Sequence, residues 1–256
     1  MRVRYTLLDP TKNYTLLVES PVPPEERQAL AARLMERESA AEQAGFLLPG
    51  DGGVCLAMAG GEFCGNAALC AAVLHAERQG TGRARLPVRF SGAEVTVEAE
   101  VQKAGDGAWT GTVAMPRPVS LRRETLPGGR TLPVVILPGI AHVVTEEPME
   151  RAEAEALASL WCGFLRADAL GVLAFDRREN RLTPLVYVPA AGTLCWENAC
   201  ASGAAALGYC LWAERRAPFE MEIAQPGGAL RIALDAAGAL RLTGRVEILR
   251  RREMEL

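Results

Sequence analysis

Lysine is almost missing from this chain. Of 28 basic residues only Lys12 and Lys103 are lysines, and the rest are arginine. An enzyme that works through pyridoxal phosphate needs a lysine to hold the cofactor as a Schiff base. Neither Lys12 nor Lys103 lies in a local sequence that suggests that job. Histidine is equally scarce, with His75 and His142 alone, so a histidine-rich metal site is excluded. No metal and no cofactor are therefore expected. Charge of one sign is also lacking: 28 basic against 31 acidic residues leave a net charge of -3. Such a balance gives no global electrostatic reason to hold nucleic acid or an anionic membrane. No run approaches the ~20 apolar residues of a membrane span. The start, Met1 to Tyr5, alternates like a strand and has no signal-peptide core. A cytoplasmic location is the expectation.

What is present fits a folded enzyme. The 256 residues, 49% hydrophobic and 23% charged, suit one large domain or two smaller ones. Seven cysteines occur, at 55, 64, 70, 162, 195, 200 and 210. An odd number argues against a disulfide framework, and no pair has the spacing of a zinc knuckle or a redox motif. Buried filler is the ordinary role of a free cysteine, and that is the expectation for Cys55, Cys70, Cys162 and Cys210.

The order of elements repeats. Glu25 to Glu38 and Met149 to Leu160 read as amphipathic helices. Each is followed by an acidic residue, two others, glycine and an apolar strand: Glu42-Gln43-Ala44-Gly45-Phe46 and Asp168-Ala169-Leu170-Gly171-Val172. Second strands follow at Val54 to Met58 and Leu182 to Val188. Each half then has a glycine-bearing loop, a cysteine and an Ala/Leu-rich helix, starting at Cys64 and at Cys200. Alternating strands close each half: Leu86 to Phe90 with Ala93 to Val101, and Phe219 to Ile223 with Leu230 to Leu234 and Leu240 to Ile248. Two similar α+β domains are expected, residues 1–115 and 116–256. The boundary falls at Met115-Pro116-Arg117-Pro118, and the last strand is free to return to the first lobe.

A cysteine at a helix start has chemical meaning. The helix N-terminus favours the thiolate, and its unpaired N–H groups bind anions. Two such starts facing each other place a sulfur on either side of a gap and N–H donors around a carboxylate. That geometry suits removal of the Cα proton of an amino acid on one face and its return on the other. One sulfur serves as thiolate and the other as thiol, with the roles exchanged for the reverse direction.

Gly60-Gly61-Glu62-Phe63-Cys64-Gly65-Asn66-Ala67 and Trp196-Glu197-Asn198-Ala199-Cys200-Ala201-Ser202-Gly203 resemble the two catalytic-cysteine motifs of the diaminopimelate epimerase-like superfamily. Gly139-Ile140-Ala141-His142-Val143-Val144 is similar to its histidine-bearing segment, and Asp9 to Tyr14 to its N-terminal turn with an active-site asparagine. The resemblance implies two pseudo-symmetric lobes, each a curved, mostly antiparallel sheet around a central helix, and cofactor-independent chemistry on a small amino acid. The chain departs from diaminopimelate epimerases at Ile140, where they carry asparagine, and at Ala191-Gly192, where they carry a Glu-Arg pair for the substrate's second head group. The combination of Glu42-Gln43, Gly-Gly-Glu-Phe-Cys-Gly-Asn and Trp-Glu before Cys200 is similar to the histidine racemases of the superfamily.

The resemblance assigns Cys64 and Cys200 to catalysis. It makes Asn13, Glu42, Gly65, Asn66, His142, Glu197, Ala201, Ser202 and Gly203 candidates for substrate binding. Inversion of free histidine at Cα is the expected reaction. A diaminopimelate epimerase, a PhzF-like isomerase and a non-catalytic amino-acid binder are the alternatives. The paired cysteines count against the PhzF reading. No nucleic-acid or membrane partner is expected, and a homodimer stays open.

Overall fold

The computed structural model describes residues 2–50, 53–147 and 149–255. Met1, part of the expected first strand, lies outside them. The chain opens with β1 (Arg2–Pro10) and β2 (Thr15–Val18), an antiparallel pair. Helix α1 (Pro24–Arg37) crosses over to β3 (Gln43–Leu48), which lies parallel to β2 and turns back into β4 (Val54–Met58). Helix α2 (Gly65–Arg78) then crosses to β5 (Arg83–Phe90), parallel to β4, and β6 (Val95–Lys103) and β7 (Trp109–Ala114) follow antiparallel.

After the proline segment at 115–118 come β8 (Ser120–Thr125), β9 (Thr131–Leu137) and β10 (Ile140–Thr145), antiparallel in turn. Helix α3 (Arg151–Leu165) crosses to β11 (Leu170–Asp176), parallel to β10, and β12 (Arg181–Val188) returns beside it. The short β13 (Thr193–Trp196) folds back onto β12. Helix α4 (Ala201–Arg215) leads to β14 (Phe219–Gln225), parallel to β12, then β15 (Gly228–Leu234) and the long β16 (Leu240–Glu255).

Strands β1 to β7 join edge to edge in chain order. The last strand, β16, pairs with β7 through its first half and with β1 through its second. Eight strands therefore close into a barrel, and closure leaves no exposed edge. Helix α2 runs through it and packs on β1, β2, β4, β5, β6, β7 and β16. Eleven of its fourteen residues are buried. The Ala67, Ala68, Ala71, Ala72 and Ala76 series keeps it thin enough to be surrounded on every side. The rest of the sheet, β16-β15-β14-β12-β11-β10-β9-β8, curves around α4, which is buried over residues 201–211. Helices α1 and α3 lie outside the sheet, and each buries only one stripe, which accounts for their amphipathic sequences. The fold is α+β and sheet-rich.

Several boundaries differ from the sequence reading. The strand expected from Ala93 begins at Val95, because Glu94 takes a left-handed turn conformation with φ 49°. The third helix is shifted from 149–160 to Arg151–Leu165. The final strand runs on from Ile248 to Glu255, because its polar, arginine-rich end finds a ladder partner in β1. Strands β2, β7, β8, β9, β10 and β13 were not anticipated. Two of them, β2 and β13, are only four residues long and carry too few positions to show an alternation.

Candidate active site

Each helix expected to begin at a cysteine does so with the sulfur as its cap. Cys64 is the N-cap of α2, and its Sγ accepts from the Ala67 N–H at 3.4 Å. Cys200 is the N-cap of α4, and its Sγ accepts from the Gly203 N–H at 3.4 Å. The N–H groups of the first turn have no partner inside the helix. After the cap bonds, those of Gly65, Asn66, Ala201 and Ser202 remain, presented from two helices to one place.

The two helix starts touch. A Cβ added to Gly65 would stand 2.9 Å from the Cβ of Ala201. Asn66 Nδ2 donates to the Ala199 carbonyl at 2.8 Å, across from one helix start to the other. A single cavity lies at this junction. It is lined by Asn13, Glu42, Gln43, Glu62, Cys64 and Asn66 from the first half, and by Cys195, Glu197, Cys200, Ala201 and Ser202 from the second. Its apolar wall includes Met35, Phe63, Ile140, Val186 and Val188.

A hydrogen-bond network fixes the first-half groups. Asn13 Nδ2 donates to Glu42 at 2.6 Å, and Asn13 Oδ1 accepts from Gln43 at 2.5 Å and from Asn66 at 2.9 Å. Glu42 also accepts from the Asn198 backbone N–H at 3.2 Å and from the Asn198 side chain, which ties the two halves together. Cys64 Sγ donates to Gln43 Oε1 at 3.0 Å. On the other side, the Cys200 N–H donates to the buried Gln225 Oε1 at 2.7 Å, and Ser202 Oγ lies 3.5 Å from Cys200 Sγ.

Electrostatics set both sulfurs as thiols. Burial pushes Cys64 up to about 12, and the carboxylates of Glu197 and Glu62 add to the rise against the Ala67 and Gln43 bonds. Burial also pushes Cys200 well up, and neighbouring Glu197 reinforces it. Glu197 itself is raised to about 8, first by burial and then by Glu42 and Glu62. Glu42 is raised by burial in spite of its four hydrogen bonds. Among the described residues lining the cavity there is no lysine, arginine or histidine.

The structure brings together most of the candidate residues. Asn13, Glu42, Asn66, Glu197, Ala201 and Ser202 line the cavity with both cysteines. Gly65 and Gly203 stand just behind it, packed on Ala201 and on Cys200 Sγ respectively. His142 is not among the lining residues. It is fully buried on β10 against Gly171, both ring nitrogens lack a partner, and burial drops its pKa to about 3. Cys55, Cys70, Cys162 and Cys210 are buried filler, as expected. Cys195 is half-buried in the cavity wall.

Sequence reasoning missed three functional neighbours. Gln43 bonds the Cys64 thiol and follows Glu42 at the start of β3. Glu62 lies two residues before Cys64, inside the quoted motif. Gln225, at the end of β14, gave no signal at all, because it meets Cys200 only through the fold.

Comparison with known proteins decides the family. The family model described as histidine racemase CntK N-terminal domain matches residues 2–251. The chain belongs to this family. Curated relatives include a histidine racemase of Fusobacterium nucleatum, 28% identical over 94% of this chain and 92% of its own length. Another, from Staphylococcus aureus, is 26% identical over 90% of this chain and 88% of its own. Among solved structures, a predicted epimerase from Pseudomonas aeruginosa superposes with a TM-score of 0.74 at 16% identity, covering 99% of both chains. A hydroxyproline epimerase from Agrobacterium vitis superposes with a TM-score of 0.70 at 12% identity, covering 99% of this chain and 92% of its own. A PhzF-family protein from Bacillus anthracis shares the fold, with a TM-score of 0.64 at 12% identity and full coverage of both chains. The protein is an amino acid racemase, an isomerase. The readings as a diaminopimelate epimerase, a PhzF-like isomerase or a passive binder are not favoured. Among the described residues no helix is long and apolar enough to cross a membrane.

Proposed function

We propose that this enzyme inverts Cα of free histidine by a two-base mechanism without a cofactor, with Cys64 and Cys200 as the acid–base pair. The single observation that carries the reading is that both sulfurs cap helices whose first turns meet at one cavity. The α-carboxylate sits on the N–H groups of Gly65, Asn66, Ala201 and Ser202, where the helix dipoles favour an anion. Negative charge growing on the carboxylate as the Cα–H bond breaks is stabilised by the same donors, already oriented and shielded from water. Glu42, held by Asn13 and Asn198 beside the helix starts, takes the α-ammonium.

The ammonium does more than anchor. With three acids and no cation around the cavity, a thiolate is unfavourable until the substrate brings positive charge. Substrate binding thus lowers the cost of the thiolate, and the empty enzyme keeps its sulfurs protonated and less open to oxidation. His142 belongs to this reading as a residue that supports the site from behind, on the strand that also carries Ile140 of the cavity wall.

We further read the molecule as two pseudo-symmetric lobes, 1–115 and 116–256, that share β16. The order of strand pair, crossover helix, strand pair, central helix and closing strands occurs in each half, which supports this. Seven unpaired cysteines suit a reducing cytoplasm. The test is proton NMR of L- and D-histidine in deuterated water with purified, reduced, chelator-treated enzyme. Loss of the Cα–H signal together with inversion is expected. Absence of both with histidine, alongside inversion of another amino acid, overturns the substrate assignment and keeps the mechanism.

A further inference from the structure

Among the described acids of the cavity, Glu62 has a fully buried carboxylate oxygen that accepts no hydrogen bond. Glu42 accepts from Asn13 and Asn198 on both of its oxygens. Glu197 lies close enough to Cys200 for each to shift the other's pKa. In contrast, Glu62 Oε2 is buried and accepts no hydrogen bond. A buried acceptor left unpaired costs about 1–3 kcal/mol, and more when charged, so it marks a place where a donor is missing. No cationic side chain among the described lining residues can supply one.

The placement of the carboxyl is specific. The side chain folds back from the α2 start and lies over Gly60. A Cβ at Gly60 would stand 2.6 Å from Glu62 Oε2 and 2.3 Å from Val188 Cγ1. Gly60 therefore makes room for the carboxyl against the apolar wall of Val188. Glu62 takes no part in the hydrogen-bond network of Asn13, Glu42, Asn66 and Asn198 that the proposed function assigns to the substrate's α-substituents. With the α-carboxylate assigned to the helix starts and the α-ammonium to Glu42, the substrate side chain is the group left to meet Glu62 in the same cavity.

We propose that Glu62 is the specificity-determining residue of this site, accepting a hydrogen bond from a side-chain N–H of a substrate with a flat, nitrogen-bearing ring. The inference rests on the histidine reading above. It adds the group that recognises the ring and the reason a purely apolar side chain is refused: such a chain leaves the buried carboxyl unpaired, whereas an imidazole satisfies it. Burial raises the pKa of Glu62 in the empty site, with backbone N–H groups of residues 60 and 62 opposing the rise. A basic ring nitrogen offsets that burial cost when it enters.

The experiment compares histidine with β-(2-thienyl)alanine, which has a ring of similar size and no nitrogen, by Cα–H exchange and inversion in deuterated water. Wild-type enzyme should prefer histidine in kcat/KM by roughly 100-fold or more, as sites built around a substrate N–H do. Glu62→Gln, which keeps shape and loses charge, should narrow that ratio about tenfold, and Glu62→Met should bring it near unity. The gain in relative acceptance of thienylalanine is the readout, since a merely structural role, or a role in binding the α-ammonium, would slow both substrates alike. Equal slowing of both by Glu62→Gln overturns the inference while the histidine reading stands. If the Met variant does not fold, the wild-type ratio decides on its own: two rings treated alike within about twofold overturn the inference. Failure of the wild type to act on histidine at all removes the reading on which it rests, and the inference with it.

Discussion

The proposed mechanism gives Cys64 and Cys200 a division of labour that single substitutions can expose. Inversion in either direction uses one sulfur to take the proton and the other to give it. Cys64→Ser and Cys200→Ser should each reduce racemisation at least ~1,000-fold, since a serine hydroxyl is far too weak an acid–base partner near neutral pH. Each variant keeps one sulfur, so residual Cα–H exchange without inversion should appear with one enantiomer only, and with the opposite one in the other variant. Proton NMR in deuterated water checks this. Near-normal inversion by either variant would falsify the two-sulfur mechanism. The raised thiol pKa values lead to a second expectation. Without substrate, alkylation of Cys64 by iodoacetamide should be slow at pH 7 and keep rising with pH toward about 12, where its titration lies. A plateau reached by pH 8 would contradict the burial argument.

His142 makes a different prediction, about stability. Its ring is buried without a partner and stays neutral down to about pH 3 in the folded state. In the unfolded chain an ordinary histidine takes up a proton below about 6.5. The unfolded state therefore binds more protons between these values, and stability falls as pH drops through that window. The contribution approaches about 1.4 kcal/mol per pH unit at its steepest. Denaturant melts of wild type and His142→Met at pH 4, 5 and 7 should show wild type losing more stability on acidification than the variant. Parallel curves would place the acid sensitivity elsewhere.

At the scale of elements, the site depends on how closely α2 and α4 approach. Gly65 and Ala201 leave no room between the first turns. Gly65→Ala puts a methyl 2.9 Å from the Ala201 Cβ and 3.2 Å from Met115. The helix starts must part by several tenths of an ångström, which should lower kcat more than tenfold through loss of alignment at the reacting carbon. The Tm should drop by only a few degrees, because overpacking by one methyl costs about 1–3 kcal/mol. A Gly65→Ala enzyme with unchanged kcat would show that the gap tolerates widening. Strand β14 matters for a related reason. Gln225 at its end accepts the Cys200 N–H, and this bond fixes the residue that caps α4.

At the scale of the whole molecule, β16 is the element that holds both halves. Its first part completes the sheet around α4 through β15 and joins β7; its last part closes the barrel against β1. Closure is locked by Glu38, only 2% exposed, which accepts from the Tyr5 hydroxyl at 3.0 Å and pairs with Arg250 and Arg252 of β16. Truncation after Ile248 removes both arginines and strips β1 of six register partners, from Glu255 to Arg250. A buried carboxylate loses its ion pairs, which costs about 3–5 kcal/mol in such settings. Hydrogen exchange should then show β1 and β2 opening while α4 stays protected. Unaltered protection in β1 would mean that the barrel does not depend on this seam.

Residue identity and spacing alone determined a good deal about this protein. The period of the apolar residues placed α1 and, within a few residues, α3; Ala/Leu richness after a cysteine placed α2 and α4; the recurrence of helix, glycine strand and cysteine gave the doubled order of elements, and the two cysteine motifs pointed to the chemistry. These features are legible because helix starts, periodicity and small-residue helices are local properties of the chain. The tertiary structure decided everything that depends on elements distant in sequence. It closed the barrel with an arginine-rich strand whose composition gives no apolar alternation, since a ladder partner rather than a core face holds it. It brought Gln225 to Cys200 and left Glu62 unpaired beside the cavity. It also set His142 behind the wall instead of on it: His142 shares the face of β10 with Ile140, but the ring lies further along the strand, buried against Gly171, while Ile140 lines the cavity. A sulfur at a helix N-terminus would by itself suggest a depressed pKa. Only the burial and the neighbouring carboxylates, Glu197 for both sulfurs and Glu62 for Cys64, push it the other way, and these are properties of the assembled fold.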